Sequence, residues 1–201
     1  DDVELDADAL LRLLECHEDL AVTRPAPTIV VGTTRDPITG VATYGGVVRP
    51  DRLRPLRYQL VPPGDEPRRA ETMNGNCVLI PRAVVARIGT LARAYTHGMG
   101  DFDYGHRATK DGCEVWVVPG TIGTCARNAP NQPASSLEEH RQRSTSPTVG
   151  LPPGEWATFV RRWGGPMWPA LAMSPYLKGF LRWVASRAPG SGSRGVLGDH
   201  Q

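Results

Sequence analysis

Asp101 and Asp103 stand two residues apart where a loop turns into a helix, inside the stretch running from Gly100 to Gly120. The spacing predicts a helix to about Lys110 that stops at Gly112. A β-branched, apolar strand from Glu114 to Val118 should follow, broken by Pro119-Gly120. A carboxylate at a helix N-terminus is kept ionised by the backbone N–H groups that have no helical partner there. That suits a general base working at neutral pH. The plainer reading is a helix cap, because Asp is common at that position. A second acidic pair, Asp1-Asp2, precedes apolar Val3. Paired carboxylates at a strand end hold divalent cations through oxygen ligands. The plainer reading there is a charged terminus with a helix cap downstream. Asn74-Gly75-Asn76 is turn-like and leads into a strand that ends at Pro81.

Several elements must position these residues. Asp6 or Asp8 is placed to cap a helix through Cys16, with Leu10, Leu11, Leu13 and Leu14 as its buried stripe. Thr28-Ile29-Val30-Val31 is a short buried strand. The run from Arg35 to Gly40 is a turn. A second strand is expected from Val41 to Arg49, with Gly45-Gly46 marking a bulge or a close backbone approach. A third strand follows from Arg57 to Val61, and the segment from Pro62 to Ala70 is a polar, Pro-rich surface loop. Pro81 opens a helix through Ile88 that Gly89 ends. Residues 128–153 are a long loop with a short helix from Leu137 to Arg143. Helices are expected from Gly154 to Trp163 and from Tyr176 to Arg187, separated by a tight break at Gly164 to Pro169. Residues 189–201 are a Gly/Ser-rich tail.

Composition sets the frame. A chain of 201 residues with 40% apolar and 22% charged residues forms one sizeable folded domain. A net charge of +2 gives no argument for nucleic acid, and no apolar run is long enough to cross a bilayer. Cys16, Cys77, Cys113 and Cys125 show neither paired nor zinc spacing, which points to reduced thiols and a cytoplasmic protein. The first methionine is Met73, so the chain reads as part of a longer polypeptide.

Three features in order, the acidic pair, the Asn-Gly-Asn loop and the acidic helix start, resemble the family-two inverting glycosyltransferases of the GT-A fold. The likeness is to members that extend rhamnose- or galactofuranose-type polymers. The segment from Asp1 to Asp6 resembles the family's acidic strand end, and the segment from Thr39 to Gly46 resembles a Tyr-Gly-Gly segment. Asn74 to Asn76 resembles the loop before the acceptor-site strand. Asp101 to Arg107 resembles the catalytic acidic motif, and Pro119 to Cys125 the strand exit beyond it. The likeness implies an α/β fold: the later part of a GT-A domain over residues 1–127, a mixed sheet with flanking helices, and a C-terminal helical extension over 154–188.

It also implies roles. Asp2 would hold a divalent cation, manganese or magnesium, on the donor diphosphate, with Asp1 beside it on the donor. Asn74 and Gly75 would line the donor sugar, and Asn76 the acceptor. Asp101 would be the general base. Asp103 would support the helix start or touch the acceptor, with Tyr104 also on the acceptor side. Some relatives carry a metal-binding His where this chain has Cys125, a soft ligand poorly suited to those cations. His97 and His106 are the substitutes on offer, against readings as a solvated loop residue and a helix-surface residue.

The implied reaction moves a sugar from a nucleotide-sugar donor to a glycan or lipid-linked acceptor, at the inner face of the membrane. The nucleotide-binding half should precede Asp1, so weak donor binding by this chain alone is expected. The rival is a non-catalytic remnant or partner-binding domain of the same fold. The aromatic and basic residues of 154–188 pack on the main domain in the plainer reading and touch a membrane in the sharper one.

Overall fold

The computed structural model describes residues 3–96, 98–127, 146 and 151–185, and Thr28–Val31 is its central strand. In chain order the elements are β1 (Glu4–Leu5), α1 (Ala9–Thr23), β2 (Thr28–Val31), β3 (Thr34–Arg35), β4 (Gly46–Val48) and β5 (Gln59–Leu60). Next come β6 (Arg68–Ala70), β7 (Thr72–Met73), β8 (Val78–Leu79), α2 (Arg82–Ile88), α3 (Gly100–Lys110), β9 (Glu114–Val117) and β10 (Gly123–Thr124). The C-terminal pair is α4 (Pro153–Trp163) and α5 (Trp168–Ala185), joined through a 3-10 turn over Gly165–Met167.

β2 pairs in parallel with β9, from Thr28 opposite Glu114 to Val31 opposite Val117. β8 lies antiparallel on its other side, and β6 closes the far edge of β9. All four residues of β2 are buried, as a central strand covered on both faces requires. Its side chains alternate. Ile29 and Val31 join Val115, Val117, Val84 of α2, and Tyr104 and Ala108 of α3. Val30 joins Ala9, Leu13, Cys16 and Leu20 of α1, with Val118 and Ile122. Two smaller sheets flank this layer, β5-β4-β7 and β1-β10-β3. The architecture is thus mixed α/β with three small sheets.

The strand Thr28–Val31, the helix closed by Gly89 and the helix Gly100–Lys110 lie where the spacing puts them; Gly89 and Gly112 both have positive φ. Other expectations are corrected. α1 runs past Cys16 to Thr23, and of the four leucines only Leu13 is buried, while Leu10, Leu11 and Leu14 are exposed. The buried face is instead set at i, i+4, i+7 and i+11 by Ala9, Leu13, Cys16 and Leu20. The expected loop from Pro62 to Ala70 contains an edge strand, Arg68–Ala70, paired with Val117 to Val115. The final helix starts at Trp168, well before Tyr176, and continues through Pro175. The short helix expected from Leu137 to Arg143 and the tail 189–201 lie outside the described residues.

Two close approaches use the glycines that allow them. A Cβ on Gly46 would stand 2.4 Å from Val117 Cγ2, so β4 can cross β9. A Cβ on Gly105 would stand 2.3 Å from Thr72 Oγ1 and 2.8 Å from its Cα, so α3 sits directly on β7. Thr72 Oγ1 then donates to the carbonyl of Phe102 at 2.8 Å. Cys16, Cys77, Cys113 and Cys125 are buried and form no disulfide. Among the described residues, no helix is long and apolar enough to cross a membrane.

Candidate functional site

Met99, with φ 65°, turns the incoming loop into the first turn of α3 in a left-handed conformation uncommon for a residue with a side chain. Asp101 stands in that turn, half-buried. Its Oδ1 accepts from the N–H of Phe102 at 2.8 Å, and its Oδ2 accepts from the N–H of Gly75 at 2.9 Å. A Cβ on Gly75 would lie 3.4 Å from the Cβ of Asp101, so a glycine lets the loop come this near.

The loop is tied further back. The N–H of Asn74 donates to Gly45 O at 2.9 Å, and its Oδ1 accepts from Gly45 N–H at 3.4 Å. Asn76 Nδ2 donates to Cys125 Sγ at 3.6 Å. Thr43 Oγ1 donates to Cys125 O at 2.9 Å. In β1, Glu4 pairs with Thr124, the residue before Cys125. Four segments far apart in sequence therefore meet at one edge: 43–45, 74–76, Asp101 and Cys125. Asp1, Asp2 and His97 lie outside the described residues.

The other side of the same helical turn is closed. Asp103 is fully buried. Its Oδ2 accepts from Arg107 Nε at 2.9 Å. Its Oδ1 accepts from Arg162 at 2.9 Å, from the Trp163 indole N–H at 3.0 Å and from Tyr95 OH at 3.3 Å. Burial alone would raise the pKa of Asp103, but hydrogen bonds from Arg162, Trp163 and Arg107 outweigh it and hold the carboxyl below its ordinary value. Tyr95 is pushed up to about 12 by burial and by the charge of Asp103. Tyr104 is also buried, its OH donating to Gly89 O at 3.0 Å and the Arg107 guanidinium lying 5.1 Å from its ring centre.

His106 is inside too, with Nε2 2.8 Å from Tyr58 OH and its ring 4.9 Å from that of Trp163. Burial, reinforced by Arg49, takes its pKa down to about 4, against a smaller opposing effect of Asp103. It is thus a neutral core imidazole.

The chain matches no family model, no curated protein and no solved structure.

The placement of the predicted site residues divides them. Asn74, Gly75, Asn76 and Asp101 come together. Asp103 and Tyr104, expected on the acceptor side, are turned into the protein with their polar atoms engaged, and His106 is neither a helix-surface residue nor open to a cation. Among the described residues, no three His, Cys, Asp or Glu side chains are grouped to hold a metal ion. At the open edge they offer one carboxylate, already accepting two backbone N–H groups, while the Cys125 thiol is buried. That set does not fit a hard divalent cation, which takes six or more oxygen ligands or several retained waters. Sequence reasoning missed Arg162 and Trp163 as partners of Asp103. Only the Arg-Trp pair at the end of a predicted helix hinted at them, and nothing in the spacing named the acid they meet.

Proposed function

We propose that this chain is the acceptor-side part of an inverting glycosyltransferase of GT-A type, which moves a sugar from a nucleotide donor to a hydroxyl of a glycan or lipid-linked acceptor. The observation that carries the reading is the bond from Gly75 N–H to Asp101 Oδ2 at 2.9 Å. It joins the two most telling segments of the family likeness, which are 26 residues apart. The Asn76–Cys125 and Asn74–Gly45 contacts bring two more of those segments to the same edge.

Asp101 is the base in this reading. The backbone N–H groups of Phe102 and Gly75 aim its carboxylate. The acceptor oxygen attacks the anomeric carbon as its proton passes to Asp101. The bond from that carbon to the diphosphate oxygen breaks on the opposite face, the electron pair leaves with the diphosphate, and the configuration inverts. The cation of this reading would depend on Asp2.

The membrane part of the reading narrows to α5. Met173, Leu177, Phe180, Leu181 and Val184 are exposed at helical spacing, and residues 156–185 contain Arg161, Arg162, Lys178 and Arg182 but no acid. Trp156, Phe159 and Trp163 of α4 are instead packed inward or half-buried.

The test is transfer by the native full-length protein from a panel of nucleotide sugars, read as acceptor-dependent release of the nucleoside diphosphate. Asp101→Asn should lower kcat by about 10² to 10⁴, with folding intact by circular dichroism. Activity near wild type in that variant removes Asp101 as the base, and no transfer from any donor removes the reading.

A further inference from the structure

Asp101 and Asp103 share one helical turn, yet only Asp101 lies at the open edge. What fixes that turn in place is α4, which grips the chain on both sides of Met99. Ahead of Met99, Thr96 Oγ1 donates to Glu155 Oε1 at 2.6 Å, and the Tyr95 ring meets Phe159 edge-on at 6.5 Å. Behind it, Arg162 and Trp163 hold Asp103, and the Trp163 ring lies over His106. His106 meets Tyr58, whose ring packs edge-on against Phe102 at 4.8 Å. The N–H of Asp103 closes the turn on Met99 O at 2.9 Å. A left-handed non-glycine residue persists only where its surroundings over-determine it, and here one helix supplies contacts to both flanks.

We propose that Asp103 is a positioning residue: through it, α4 fixes the first turn of α3 and so sets the Asp101 carboxylate against the Gly75 loop. The purpose of that positioning rests on the glycosyl-transfer reading; the coupling itself does not. A purely structural Asp103 would stabilise the fold without governing Asp101. Gly75 separates the two cases, because its N–H bonds to Asp101 while its loop is otherwise tied to Gly45 and Cys125 through Asn74 and Asn76.

The experiment is residue-resolved amide hydrogen exchange on the 201-residue chain. Trp163→Phe keeps a ring over His106 and removes the indole N–H; Arg162→Met removes the cation; Arg162→Lys keeps it. In Trp163→Phe and Arg162→Met the amides of Gly75 and Phe102 should exchange roughly fivefold faster or more, while those of β2 and β9 keep their rates. Arg162→Lys should recover part of the protection. Unchanged exchange at Gly75 overturns the positioning role, and so does uniform acceleration across β2 and β9, the mark of a general loss of stability. In the native full-length protein the same variants should lower kcat about tenfold with the acceptor KM held. Absence of transfer in every form would remove the enzymatic reading and leave the exchange result to judge the coupling. Transfer with an unmoved Gly75 amide would do the reverse.

Discussion

The two sides of the first turn of α3 use the same residue type for opposite ends. Asp101 accepts two backbone N–H groups at an edge assembled from loops. Asp103, two residues on, is sealed under Arg107, Arg162, Trp163 and Tyr95. The difference teaches that a carboxylate's role is set by what surrounds it, since a charge taken fully from water must be neutralised by close partners. The inner acid is committed to its protein partners. The outer one is only half-buried, as the base of the proposed reading would have to be to take a proton from an incoming hydroxyl.

The largest expected effect comes from breaking the inner side. Asp103→Asn leaves two guanidinium groups facing a neutral amide and should cost about 3 kcal/mol or more in urea unfolding. Its folded-state pKa is depressed, so the acid contributes stability above its unfolded value near 4, and this is lost as pH falls below that value. Wild type should show that acid-side loss, and the variant should not; equal slopes would mean the ion pairs contribute nothing.

A second, somewhat smaller effect belongs to His106. With its pKa at about 4 in the folded protein, the unfolded chain takes up a proton first as pH falls below about 6.5. Stability should fall by about 2–3 kcal/mol between pH 7 and 4.5, and His106→Phe should flatten that fall. A variant as pH-sensitive as wild type would place the titration elsewhere. The smallest effect sharpens the outer side. Gly75→Ala brings a methyl to 3.4 Å from Asp101 Cβ, so thermal stability should stay within about 0.5–1 kcal/mol of wild type while transfer drops. A large loss of stability would mean that this edge, too, is structural.

Much of the frame was legible because it rests on local signals. Gly89 and Gly112 mark helix ends through their backbone freedom, and Thr28–Val31 is apolar because both its faces are covered. Asn74, Gly75 and Asp101 could be named because turn and helix-start chemistry is written in adjacent residues. The inner side was not legible. Arg162 meets Asp103 across 59 residues, and no short-range pattern encodes that pairing. The buried face of α1 was misjudged because a cluster of leucines outweighed the helical period. The strand Arg68–Ala70 was hidden because Arg68 and Arg69 are exposed on a sheet edge, where the apolar alternation of a strand is lost.

Gly105 has a further consequence. No side chain stands between α3 and β7 at this point, so any residue larger than glycine would lift the helix off Thr72 and carry its first turn, with Asp101, away from the loop it meets.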